Sequence, residues 1–133
     1  MRKFLTILFL GAATIAAPAI AGERQTPEAK LQKLLDGRVA GKPVDCISLS
    51  SVSSSQIIDG KAIVYRVGGR LYVNEPRSGA NQLNDDVILV TRTSGSQLCS
   101  IDTVHLIDST SRFPRGFVQL GKFVPYTRVK QAN

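Results

Sequence analysis

Two cysteines, one histidine, one acidic doublet and a basic run near the carboxyl end are the side chains whose types and spacing could do chemistry. Cys46 and Cys99 are far apart, and each falls in a stretch that reads as a strand. Neither has the close CxxC spacing or the basic surroundings that lower a thiol pKa, so a redox-active or metal-binding pair is the weaker reading and one structural disulfide the stronger. In the chain-entropy model a bridge over so long a loop removes denatured-state entropy equivalent to about 4 kcal/mol. For a small domain that is a large share of the total stability.

His105 stands in the run CysSerIleAspThrValHisLeuIle. On one continuous strand Cys99, Ile101, Thr103, His105 and Ile107 share a face while Asp102 and Asp108 point the other way, so an Asp-His pairing falls apart. A metal site needs three or four ligands and a catalytic base needs a partner within hydrogen-bond reach, which leaves His105 as a strand-end or partly buried histidine. Asp85-Asp86 could gather oxygen ligands, but EF-hand periodicity and its terminal Glu are missing, and a turn with local backbone capping is expected. No serine stands in GxSxG or SxxK, and Gly68-Gly69-Arg70 lacks the strand, GxxxxGKS and helix of a phosphate loop.

Charge is the remaining signal. The 133 residues carry 17 Lys and Arg against 10 Asp and Glu. Between residues 112 and 133 there are Arg112, Arg115, Lys122, Arg128 and Lys130 and no acidic side chain, a candidate anion-binding stretch. The alternative is an ordinary solvated surface, since aromatics are few and no arginine-rich motif is present.

These residues need a compartment and a frame. Met1-Arg2-Lys3, the apolar run over residues 4 to 17 and the small residues of Ala19-Ile20-Ala21 read as a secretory signal peptide, residues 1–21, with cleavage after Ala21. The apolar run is too short to span a bilayer comfortably, no second one follows, and no cysteine lies near the cleavage point to take a lipid. A periplasmic or secreted protein without a transmembrane segment is expected, with a mature net charge of +5 once Arg2 and Lys3 are removed. With 6% aromatic residues and no Trp, its single core must be built from Val, Ile and Leu, which excludes a large enzyme fold.

Residues 22–43 form an amphipathic helix and linker. Thr26 caps the first turn, Pro27 suits the first helical position, Leu31, Leu34 and Leu35 make an apolar stripe, and Gly37 stops the helix. From 44 to 126 short runs rich in Val, Ile, Tyr and Ser predict about seven strands, near 44–50, 55–58, 61–67, 70–74, 86–92, 98–107 and 117–124. Asp59-Gly60 and Gly68-Gly69 each match a two-residue hairpin turn, and 75–85 and 108–116 read as polar loops. Residues 127–133 read as a basic tail. The pattern predicts a mainly β fold, a small antiparallel barrel or two-layer sandwich with one amino-terminal helix.

The segments GRVAGKPVDCISL (37–49), IIDGKAIVYRV (57–67), GRLYVNEP (69–76), SGSQLCSIDTVHLID (94–108) and LGKFVPY (120–126) carry a resemblance covering nearly the whole mature chain. It is to a family of small exported proteobacterial proteins of unknown function, with a Cys-Ile strand and a Ser-Gln-Leu-Cys-Ser strand. Cys46 and Cys99 match its two strand cysteines. Two further cysteines of the family pattern, one in the loop matching 76–85 and one before the final Gly-X-Phe, are missing here, which makes this a divergent member. The resemblance implies no activity.

The expectation is therefore a non-enzymatic envelope protein without a cofactor or metal. Its expected partner is an anionic envelope polymer or lipid, or another envelope protein, and not nucleic acid. The competing readings are a small periplasmic hydrolase using His105 or an unrecognised serine, and an inhibitor of a wall-degrading enzyme. The latter is weakened because a basic inhibitor approaches commonly basic, lysozyme-like targets against repulsion.

Overall fold

The computed structural model describes residues 24–130 and, before them, Gly11, Ala13, residues 15–18 and Gly22. The signal peptide expected over 1–21 falls for the most part outside the described residues, as do 131–133 of the basic tail. Among the described residues no helix is long and apolar enough to cross a membrane.

Among the described residues one α-helix, α1 (Pro27–Leu34), precedes ten strands: β1 (Arg38–Ala40), β2 (Cys46–Ser48), β3 (Val52–Ile58), β4 (Ala62–Val67), β5 (Arg70–Asn74), β6 (Val87–Thr91), β7 (Gln97–Cys99), β8 (Thr103–Asp108), β9 (Pro114–Gln119) and β10 (Phe123–Arg128). All pairings are antiparallel, in sheets ordered β1-β10-β5-β4-β3, β2-β7 and β6-β8-β9. The fold is mainly β and sandwich-like, without a closed barrel.

The five-stranded sheet is covered on both faces. Ile63 and Tyr65 of β4 and Phe123 of β10 face the two smaller sheets and pack with Ile47, Leu98, Val104, Leu106, Val118 and Leu120. Ala62 and Val64 of β4, with Leu71 and Val73 of β5, face the other way, onto Leu31, Leu34 and Leu35 of α1. This explains why AlaIleValTyr reads as an unbroken apolar run: a strand buried on both faces has no polar side to show. The helix begins as its residues dictate. Thr26 Oγ1 accepts from Ala29 N at 3.2 Å, Pro27 occupies the first turn, and Gly37 takes a left-handed φ of 70°.

The seven expected strands become ten for identifiable reasons. The run 98–107 is two strands, because Asp102 Oδ2 accepts from Cys99 N at 2.7 Å and Asp102 N donates to Cys99 O at 3.0 Å, closing a turn. Ile101, which continues the alternation in sequence alone, is 80% exposed in that turn. The run 117–124 also breaks. Asn74, fully buried, clamps the β9–β10 turn through Gly121: its Nδ2 donates to Gly121 O at 2.7 Å and its Oδ1 accepts from Gly121 N at 2.9 Å. A Cβ at residue 121 would press into the Glu75 carbonyl oxygen, so only glycine lets the chain approach this closely. The third addition, β1, comes from the expected linker. It pairs with β10 as far as Arg128, so residues 127–128 belong to the sheet rather than to a tail. The Gly68-Gly69 link is a two-residue turn with Gly68 at φ 60°, whereas the Asp59-Gly60 connection is one residue longer than expected, since Ile58 pairs with Ala62.

Cys46 and Cys99 are joined by a disulfide and lie directly opposite one another in the β2–β7 ladder, with Cα atoms 4.0 Å apart. Ser100 N donates to Asp45 O at 2.7 Å and Leu49 N to Ser96 O at 2.9 Å. Alternation then makes the cysteines a non-hydrogen-bonded pair, the position where facing side chains come closest. Two three-residue strands are thus held by a covalent bond on one face and by buried Ile47 and Leu98 on the other.

Candidate anion-binding surface

The fold separates the five basic residues that cluster in the sequence. Arg112 and Arg115 lie in and just after the β8–β9 connection, where Asp108 organises the turn. Asp108 Oδ1 accepts from Ser111 N at 2.8 Å and Thr110 N at 2.9 Å, and its Oδ2 accepts from Arg115 Nη1 at 2.7 Å. The Ser111 amide first, then Arg115 and the Thr110 amide, hold the Asp108 carboxyl well below the usual carboxylate range. Arg115 is therefore matched by a carboxylate, and Arg112, at φ 64°, is a turn residue in the left-handed region. Lys122, in the β9–β10 turn, stands 3.7 Å from Asp45. Both sites show how a locally basic stretch is neutralised by acids from elsewhere in the chain.

Arg128 has the opposite environment. In the β1–β10 ladder its direct cross-strand partner is Arg38. On β4, Arg66 pairs with Leu71, which in turn pairs with Tyr126, two residues before Arg128. The period of two puts Arg38, Arg66 and Arg128 on the α1 side of the five-stranded sheet, beyond the apolar patch under the helix. Arg38 Nη1 donates to Gly69 O at 2.9 Å and Tyr126 O at 3.3 Å, fixing its guanidinium across the sheet end. Partial burial first, and then the positive charges of Arg128 and Arg66, pull that guanidinium below its ordinary pKa. The ion pairs among the described residues engage Lys30, Lys61, Arg115 and Lys122, and none engages these three arginines.

Like charges directly opposite one another destabilise a ladder, so the Arg38–Arg128 pairing works against the two hydrogen bonds that Arg38 makes. What three guanidinium groups can do chemically is hold an oxyanion, since each presents a planar fork of donors that matches phosphate or carboxylate. A cleft of about 310 Å³ with a mixed lining of Leu31, Val73, Glu75, Lys122, Val124 and Tyr126 runs beside α1 on the same side of the sheet. Sequence reasoning named Arg128 and Lys130 but missed Arg38 and Arg66. The available signals were the exposed charge closing the apolar run of β4 and the extended ArgValAla after Gly37.

The other candidates are placed as follows. His105 is exposed in the middle of β8, rather than at a strand end, because Val104 and Leu106 take the inward positions. Its ring lies 6.4 Å from that of Phe117 beside a shallow cleft of about 200 Å³ that also includes Val90, Arg92 and Pro114. The turn at residues 100–102 takes Cys99 and Ile101 off the strand that carries His105, so the expected shared face is limited to Thr103, His105 and Ile107. Asp102 and Asp108 are both engaged in turn hydrogen bonds. Asp86 N donates to Asn84 Oδ1 at 2.9 Å, the local capping expected of the acidic doublet, and Asp85 lies 3.9 Å from Lys30. Among the described residues no three His, Cys, Asp or Glu side chains are grouped to hold a metal ion. Compared with family models, with curated proteins and with solved structures, the chain matches none.

Proposed function

We propose that this is a non-enzymatic protein of the cell envelope, exported to the periplasm or beyond, that binds phosphate-bearing surface components through Arg38, Arg66 and Arg128. The observation that carries the reading is the facing pair Arg38 and Arg128, with Arg66 close enough to perturb Arg38 and, among the described residues, no carboxylate paired to any of them. A polyanion relieves the mutual repulsion, so its binding is favoured by the same charges that cost the free protein stability. The disulfide accords with an oxidising compartment. Lys130, two residues beyond Arg128, extends the basic end.

The test is co-sedimentation of the exported, oxidised protein with vesicles of phosphatidylglycerol, with neutral phosphatidylcholine vesicles and with lipopolysaccharide, each at low and physiological salt. Binding to either phosphate-rich source, absent on neutral vesicles and weakened as salt rises, supports the reading, and the two sources are separated by which one binds. Exposed charges are screened over about 8 Å at physiological ionic strength, so salt-insensitive binding contradicts it.

A further inference from the structure

The sandwich has two kinds of sheet edge. The outer edge of β9 is covered: Arg77 N donates to Gln119 O at 2.8 Å, Gln119 N to Ser78 O at 3.1 Å, and Gln82 Nε2 to Phe117 O at 3.1 Å, while Pro114 and a register shift break its regularity. At the opposite edge of the same sheet, β6, Val87 N reaches Asn84 O at 3.4 Å, and beyond it no such cover is found among the described residues. It is the terminal strand in the order β6-β8-β9, its sequence is ValIleLeuValThr, and a cleft of about 440 Å³ separates it from Ser55, Gln56 and Ile57 of β3. A regular apolar edge with neither proline nor charge is a template for pairing with another strand.

The charges that flank β6 say which strand. The segment 85–92 reads AspAspValIleLeuValThrArg, acidic before the apolar run and basic after it. Ser109 N donates to Asp86 O at 2.8 Å, so alternation along the β6–β8 ladder turns Ile88 and Val90 toward β8 and leaves the backbone groups of Leu89 and Thr91 facing the free edge. Laid antiparallel against a second β6 with Leu89 opposite Leu89, those outward groups meet as hydrogen-bonded pairs. In that register Asp86 faces Arg92 of the other copy, twice, by symmetry. Both are non-hydrogen-bonded positions, where facing side chains come closest. Asp86 and Arg92 share the outer face with Ile88 and Val90, are exposed, and have no ion-pair partner among the described residues.

We propose that β6 is the seam of a symmetric dimer of this chain, in which the two three-stranded sheets join into one six-stranded sheet with Leu89 at the two-fold axis and an Asp86–Arg92 ion pair at each end. Shifting the register by two residues in either direction keeps the backbone bonds but loses both ion pairs, so the charges select this alignment. The interface is isologous, and antiparallel pairing of one edge with itself closes it at two copies.

The test is sedimentation velocity of the exported, oxidised protein over a concentration series reaching the millimolar range. Asp86→Arg and Arg92→Asp each place like charges opposite one another at both ends, and each is expected to raise the dimer dissociation constant about tenfold or more. The two variants mixed in equal amounts form heterodimers with both ends attractive, and the doubly exchanged chain, D86R with R92D, dimerises again. Thr91→Pro removes an outward amide without touching the β6–β8 ladder, and gives a folded monomer by circular dichroism. A wild-type protein that stays monomeric throughout the series overturns the proposal. So does a dimer that neither charge variant weakens, because its seam then lies elsewhere.

Discussion

Two corners of this molecule carry arginines of the same chemistry in opposite settings. At the β8–β9 turn Arg115 lies 2.7 Å from Asp108, a carboxylate further stabilised by two backbone amides. At the far end of the five-stranded sheet Arg38 and Arg128 lie opposite one another in the β1–β10 ladder, and Arg66 of β4 stands near enough for its charge to act on Arg38. The first corner uses its arginine to close a turn; the second accumulates charge that no carboxylate among the described residues matches. The lesson is that a count of basic residues along the chain is not a map of positive surface, because strand pairing decides which charges meet.

The harshest way to break the comparison is to remove the frame that both corners share. Reducing Cys46–Cys99 is expected to cost about 4 kcal/mol, seen as a lower melting temperature with reductant than without. Coincident melts would show that the ribbon of β2 and β7 holds without its covalent link.

Next in size is loss of the unmatched charge. A basic side chain near an anionic surface contributes about 1 kcal/mol, so replacing Arg38, Arg66 and Arg128 together by Gln is expected to weaken binding to phosphatidylglycerol vesicles by about a hundredfold. Vesicle sedimentation at low salt measures it. The same variant should stay within about 1 kcal/mol of wild-type stability, since the relieved repulsion offsets the loss of the two hydrogen bonds that Arg38 donates to Gly69 O and Tyr126 O.

The matched corner can be converted toward the unmatched one. Asp108→Asn keeps an oxygen for the Ser111 and Thr110 amides but loses the charge that neutralises Arg115, and it is expected to strengthen vesicle binding by at most about fivefold. Acid makes the same change reversibly. The folded pKa of Asp108 lies below its unfolded value, so the stability this carboxylate adds is complete above the unfolded pKa of about 3.9 and is lost as pH falls through the lower folded value. A pH series of melts on wild type and Asp108→Asn should therefore diverge above that range and converge below it.

The smallest effect is expected one residue from the cluster, on the opposite face of β4. The Tyr65 hydroxyl is buried without a hydrogen-bond partner among the described residues, and burial pushes its pKa far up, so the phenol stays neutral. Tyr65→Phe removes an unsatisfied group while keeping the edge-to-face contact with Phe123, whose ring centroid is 5.8 Å away. Stability is expected to stay within about 1 kcal/mol of wild type or to rise, and vesicle binding to be unchanged.

How much of this was legible in the sequence follows from what is local. Thr26-Pro27 and Gly37 bound a helix by the chemistry of its ends, Gly68-Gly69 sets a two-residue turn, and two widely spaced cysteines, each in a strand-like run, read as one bridge. The breaks at Asp102 and Gly121 were hidden because each rests on a contact that periodicity does not encode. One is a carboxylate folding back on Cys99 N, and the other is the buried amide of Asn74 reaching across 47 positions. The candidate surface was half visible for the same reason. Arg128 and Lys130 announce themselves in a basic stretch, but Arg38 and Arg66 join them only through β1–β10 pairing and the register of β4, β5 and β10.

The central claim, that the arginine end of the five-stranded sheet is where an anion binds, is tested most directly by mapping amide chemical shifts of the oxidised protein during titration with a short-chain phosphatidylglycerol below its micelle concentration. The account predicts the largest, saturable changes at Arg38, Arg66, Arg128 and their strand neighbours, with residues 108–116 little affected. Changes centred on the β8–β9 turn, or no saturable change anywhere, would contradict it.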